Sequence, residues 1–149
     1  MDEVIALFNT NRVRYLLIGG QALRLEGMPR FSMDWDIYIP SQDQENIDKI
    51  NRLLGDQLDV PLLPMGPRGE NFVQTYQTVH GIIQFHLGGP GLCPFDEAER
   101  RAVKHKTENG TPVKCLSGKD LLACKEAAGR PQDQDDILFL RRKQELGLL

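Results

Sequence analysis

A short aliphatic run ends in two glycines, and an alternating strand carrying two acids follows: "YLLIGGQALRLEGMPRFSMDWDIYIP", Tyr15 to Pro40. The run before Gly19 reads as a buried strand stopped by glycine. "GGQALRLEG" reads as a helix closed by Gly27. In "RFSMDWDIYIP", Phe31, Met33, Trp35, Ile37 and Ile39 fall on one parity, and Ser32, Asp34, Asp36 and Tyr38 on the other. Pro40 ends the strand. This part of the chain is committed to strand, glycine turn, helix and strand.

On a strand, residues i and i+2 share a face and lie roughly 7 Å apart. Asp34 and Asp36 are such a pair, with Trp35 on the opposite face. At ~6 Å and an effective dielectric of ~20 their repulsion is about 3 kcal/mol, which favours a divalent cation between them. Mg²⁺ is commonly held by one or two carboxylates together with substrate phosphates, and Mn²⁺ is the other expectation. Two such ions can clamp the attacking and leaving oxygens of a phosphoryl transfer. Gly19 and Gly20 lack side chains, so a triphosphate can approach the main chain there and accept from helix N–H groups. Gln21 is near enough to add a side-chain amide. Arg30 and Ser32, just before the acids, offer a cation and a hydroxyl to phosphate oxygens.

The remaining sequence reads as further helices and strands in one domain, residues 1–149, with a core over about 1–90 and a C-terminal helical part over about 95–149. Helices are expected at "DEVIALFN", at "SQDQENIDKINRLLG" (Ser41 or Asp43 as N-cap, Gly55 as C-cap), at "FDEAERRAVKH", at "SGKDLLACKEAAG" and from Pro131 onward. Strands are expected at "FVQTYQTV" and "GIIQFHLG", with a turn near His80-Gly81, and a short one after the Asn-Gly turn in "ENGTPVKCLS". The fold class is α+β: a small mixed β-sheet with helices packed on it.

A net charge of −3 argues against bulk nucleic-acid binding. Three cysteines without metal-type spacing, an N-terminus unlike a signal peptide and no long apolar run fit a cytoplasmic protein away from membranes.

"LLIGGQALRLEGMPRFSMDWDIYI" resembles the signature of the DNA polymerase β-type nucleotidyltransferase superfamily. The form is closest to small bacterial nucleotidyltransferase-like proteins related to the abortive-infection toxin group. "CLSGKDLLACKEAAGRPQDQDDILFL" is similar to that group's C-terminal segment. The resemblance implies a nucleotidyltransferase-like fold, Gly19 and Gly20 against a triphosphate, and Asp34 and Asp36 as catalytic metal ligands. It also matches Lys125, Arg130, Asp133 and Asp136 to that segment, with Lys125 reaching the nucleotide phosphates. From the residues alone, Lys125 is equally a helix lysine paired with a nearby acid, and Asp133 and Asp136 equally serve the start of a helix.

Active members of the superfamily carry a third carboxylate on a later strand. Here that strand is "GIIQFHLGG", which has no acid; Gln84 or His86 stands in the place, according to register. His86 is suited to act as base or metal ligand, or it is simply a strand histidine with a satisfied ring. Two functions follow. One is metal-dependent transfer of a nucleoside monophosphate from an NTP to a hydroxyl of a small molecule, protein or RNA, with a homodimer or cognate protein partner completing the pocket. The other is a catalytically impaired module that binds nucleotide or a protein partner, as in a toxin–antitoxin or phage-defence pair.

Overall fold

The computed structural model describes residues 1–149. The strand before the glycines, β1 (Leu16–Ile18), is buried at every position because it lies inside a six-stranded sheet. Around it the chain forms α1 (Asp2–Thr10), α2 (Gly19–Leu25), β2 (Asp34–Tyr38), α3 (Gln44–Leu54), β3 (Val73–Thr78) and β4 (Gly81–His86). Then follow α4 (Phe95–Arg101), β5 (Val103–Lys106), β6 (Pro112–Cys115), α5 (Gly118–Ala128) and α6 (Gln134–Glu145), with 3₁₀ turns at Gly55–Gln57 and Pro131–Asp133.

The sheet order is β3-β4-β2-β1-β6-β5. It is mixed: β1 with β6 and β2 with β4 are parallel, and the other three pairings are antiparallel. Helices cover the sheet through one continuous core that includes Phe8, Tyr15, Ile37, Ile50, Phe85 and Leu140. The α+β expectation holds. Because β5 and β6 extend the sheet from β1, the C-terminal third supplies strands as well as helices.

Local chemistry fixes the helix ends. Asp43, rather than Ser41, caps α3: its carboxylate accepts from Asn46 N–H at 3.0 Å. Ser117 Oγ accepts from Asp120 N–H at 3.2 Å to start α5, and Gly129 closes that helix in the left-handed region.

Two expectations are corrected. The helix read over "FDEAERRAVKH" ends at Arg101, and Val103–Lys106 is instead the edge strand β5, hairpinned to β6 through the Asn109-Gly110 turn. Second, the strand read from Arg30 begins only at Asp34. Its partner β4 begins at Gly81, opposite this point, and β1 turns into α2 beside Asp36, so Phe31 and Met33 have no strand to pair with and stand exposed. No helix is long and apolar enough to cross a membrane.

Candidate active site

The site is built where β1 ends. Antiparallel pairing sets Ile18 opposite Asp36, so the Asp36 carboxylate arrives beside the glycine turn. Gly19 opens α2 with φ +69°, a region L side chains rarely adopt, and a Cβ there would run into the Asp36 carboxylate. Gly20 is buried under the loop between α2 and β2: a Cβ on it would stand 2.7 Å from Ser32 Oγ and 3.5 Å from Arg30 Cζ. The two glycines thus let an acid and a loop close onto bare backbone.

Asp36 Oδ1 lies 2.8 Å from His86 Nε2. Neither Asp34 nor Asp36 has a lysine or arginine partner anywhere in the fold. No three His, Cys, Asp or Glu side chains converge on one point as a ready-made metal cage. The donor set is two carboxylates on one strand face, one of them already against an imidazole. That set suits a hard divalent ion that completes its shell with phosphate oxygens, and it does not suit a structural metal.

Strand register orders Gln84 and His86 against the acids. β2 and β4 run parallel with Asp36 opposite Gln84 and Tyr38 opposite His86. Gln84 therefore stands beside Asp36 where an acid was sought. His86, one step further along the same face, leans back to bond Asp36.

A charge cluster from the C-terminal third borders the cleft. Lys125 Nζ lies 3.1 Å from both Asp133 Oδ1 and Asp136 Oδ2. Arg130 binds Asp133 through Nε at 2.8 Å and Nη2 at 3.0 Å, and Arg30 Nη1 reaches Asp136 Oδ2 at 2.6 Å. Both acids are almost fully buried. The Arg130 hydrogen bond, helped by Lys125, holds the Asp133 carboxyl below the usual carboxylate range against the opposing effect of burial. Asp133 occupies the N-cap position of α6, yet its side chain makes no capping bond. Its carboxylate goes to the cations instead, while its place at the start of α6 agrees with the helix-start reading. Three cations on two acids leave a net positive charge at the rim.

Together these residues line a cleft of about 850 Å³. Gly19, Gly20, Arg30, Ser32, Asp34, Asp36, Gln84, His86 and Lys125 all border it. Gln21 does not. Its amide is buried, donating to Ser32 O at 2.9 Å and accepting from Arg24 Nη1 at 2.8 Å, and it lines a separate hollow with Trp35 and Lys106. As a residue facing the nucleotide it is corrected to one that ties down the Ser32 loop: α2 turns its side chain away from the acids. Cys124 borders the cleft too, but burial pushes its thiol up to about 11, so it stays protonated at neutral pH.

The sequence reading missed Phe72 and the Gly88-Gly89-Pro90 turn as cleft walls. The glycine pair directly after a strand was a signal for the turn. Phe72 carried none.

No protein-family profile matches the chain, and no curated protein sequence matches it. Solved structures do. The chain is similar to the lincosamide antibiotic adenylyltransferase LnuA, crystallised with lincomycin, at 18% identity and TM-score 0.61 over 93% of this chain and 92% of that one. It is similar to ANT(2″)-Ia, crystallised with adenylyl-2″-tobramycin, at 17% identity and TM-score 0.55 over 96% of this chain and 85% of that one. A Thermotoga maritima protein provisionally described as a nucleotidyltransferase matches at 12% identity and TM-score 0.53, over 96% of this chain and 89% of that one. At these identities the likeness speaks to the fold.

Proposed function

We propose, from the premise that this chain has the nucleotidyltransferase fold of the DNA polymerase β type, that it transfers a nucleoside monophosphate from an NTP to a hydroxyl acceptor. The observation that carries the reading is the Asp34–Asp36 pair: two carboxylates on one strand face, without a lysine or arginine partner, one of them against a glycine whose positive φ and missing Cβ make room for it.

Asp34 and Asp36 would hold Mg²⁺ or Mn²⁺, which when bound supplies positive charge to the triphosphate and to the reacting oxygens. The chain's own residues do the rest. Gly19 and Gly20 let the polyphosphate lie against the main chain. Arg30, Lys125 and Arg130 supply charge for the departing pyrophosphate, and Ser32 Oγ offers a hydroxyl beside Gly20. The acceptor oxygen forms a bond to the α-phosphorus as the bond from that phosphorus to the α,β-bridging oxygen breaks. The acceptor proton goes to a base, and His86, held by Asp36, is the titratable group at hand.

Gln84 opposite Asp36 favours a second reading: a module that binds nucleotide, or a partner protein, without turning over. A general base contributes about 10²–10⁴ in rate, so its loss leaves binding intact and chemistry slow.

One experiment tests both. Calorimetry with Mn²⁺ and each NTP is run on wild type and on the Asp34→Asn/Asp36→Asn variant, followed by label transfer from α-labelled NTPs into lysate, RNA and the protein itself. Metal-dependent NTP binding that disappears in the variant supports the site, and equal binding in both sinks it. Binding with no transfer across the panel supports the second reading.

A further inference from the structure

The hollow that Gln21 lines measures about 780 Å³ and is separate from the cleft. Trp35 stands between Asp34 and Asp36 in β2, so its indole belongs to the opposite face of the sheet and walls this hollow. Leu25, Met28 and Phe31 supply the other large apolar side chains. Leu25, Met28 and Trp35 pack on the core and are only half-buried, and Phe31 is 82% exposed. The polar side comes from other elements: Asp2 at the start of α1, and the end of β5 with its turn, Lys106 to Asn109. Hollows of about 300–1,000 Å³ that join apolar walls to a few polar groups are typical of small-molecule sites.

The charges around it are nearly all engaged. Arg24 pairs with Glu108 at 3.2 Å, and Arg30 with Asp136 at 2.6 Å. Asp2 accepts from the hydroxyls of Thr107 and Thr111. Lys106 alone has no carboxylate within ion-pair reach, and around the hollow three cations face two acids. One anionic group is matched there. A second would meet Glu108 and Asp2. On the apolar side, two aromatic rings favour a flat aromatic over a saturated ring of similar size.

The hollow and the cleft share a wall. Arg30 and Phe31 line both, and between them and Asp34 lies Ser32, whose carbonyl accepts from Gln21 Nε2 at 2.9 Å. Residues 28–33 belong to no helix or strand. An occupant of the hollow therefore adds contacts to the stretch that carries Arg30 and Ser32 to the glycine turn.

We propose that this hollow is a regulatory site for a flat aromatic compound bearing one carboxylate, its rings against Trp35 and Phe31 and its carboxylate on Lys106. Bound there, the compound steadies the stretch from Arg30 to Ser32 and tightens nucleotide binding in the cleft. This regulatory half rests on the nucleotidyl-transfer reading above. By linkage, nucleotide tightens binding of the compound by the same factor.

The test is calorimetry with biphenyl-4-carboxylate and three controls: neutral biphenyl-4-methanol, saturated bicyclohexyl-4-carboxylate, and AMP, which carries more charge. An exposed ion pair and an aromatic contact are each modest, so wild type is expected to prefer biphenyl-4-carboxylate by about threefold or more over each control. Trp35 is the one tryptophan in the chain, and its indole N–H resonance is expected to move during the titration. Lys106 is exposed near the sheet edge, so its substitution spares the core. Lys106→Gln is expected to bring the carboxylate down to the affinity of the alcohol and to leave the alcohol unchanged. Lys106→Arg is expected to keep the wild-type preference. With Mn²⁺ present, saturating biphenyl-4-carboxylate is expected to raise the affinity for a non-hydrolysable NTP analogue by about threefold or more. Binding no tighter than a control, a Trp35 resonance that stays in place, or a preference that survives Lys106→Gln overturns the site. Unchanged analogue affinity overturns the regulatory half. Absence of analogue binding with and without the carboxylate sinks the transfer reading, and the Lys106-dependent site stands.

Discussion

Arg30 Nη1 donates to Asp136 Oδ2 at 2.6 Å, joining the loop before the paired acids to the first turn of α6, 106 residues away. Lys125 shares the same carboxylate oxygen. The anion at position 136 thus aims two cleft cations, and it is nearly inaccessible to water.

Asp136→Asn keeps the shape and removes the charge. Hydrogen bonds to charged groups contribute about 1.5–3 kcal/mol each, and a lost buried partner leaves the other charges unpaired. The expected loss of stability is about 2–3 kcal/mol in urea denaturation. NTP affinity is expected to fall as well, because Arg30 and Lys125 lose their anchor. A variant with wild-type stability would show that the pair is of no structural consequence.

Acid sensitivity follows from Asp133. Its carboxyl sits below the ordinary range because of Arg130 and then Lys125. A group whose folded value is depressed stabilises the fold above its unfolded value, about 3.9, and that contribution is lost as pH falls below it toward the folded value. Asp133→Asn is therefore expected to flatten the dependence of unfolding free energy on pH between about pH 4 and pH 2. Identical slopes in wild type and variant, followed by circular dichroism in urea at each pH, would contradict this.

The glycine turn makes an asymmetric prediction. At Gly19 an alanine meets both a left-handed backbone, costing about 1–2 kcal/mol, and the Asp36 carboxylate. Gly20 lies outside the positive-φ region, and an added Cβ there meets chiefly the Ser32 side chain, which can rotate. Gly19→Ala should abolish Mn²⁺-dependent NTP uptake and Gly20→Ala should weaken it less. The reverse order in calorimetry would mean the turn does not govern the acid.

Gln84 offers a gain-of-function test. It is in register with Asp36 and half-buried in the cleft, so Gln84→Glu adds a carboxylate of nearly the same shape, and a bound divalent cation offsets its repulsion from Asp36. Nucleotidyl transfer is expected to rise by about 10²-fold, measured as label released from an α-labelled NTP. An unchanged or lower rate would show that position 84 is not where the missing acid belongs.

What could be read in advance followed the range of the forces involved. Asp34 and Asp36 share a face because of strand geometry over three residues, and Gly19 follows from a turn, so both were legible. β5 was not. "EAERRAVKHK" is rich in helix-forming residues, and only pairing with β6 across the Asn109-Gly110 turn makes its second half extended. The direction of the Gln21 side chain depends on how α2 seats against β2, which no local pattern reports. Lys125 matched a motif, but its two buried partners follow only from the packing of α6 on α5.

The interior position of β1 has a consequence for how the protein comes into being. Its neighbour on one side, β6, is residues 112–115, emerging long after β2 has been made. Until that segment leaves the ribosome, β1 has no partner strand on that side. Nucleotide added to stalled nascent chains should protect them from protease only once those later residues have left the exit tunnel.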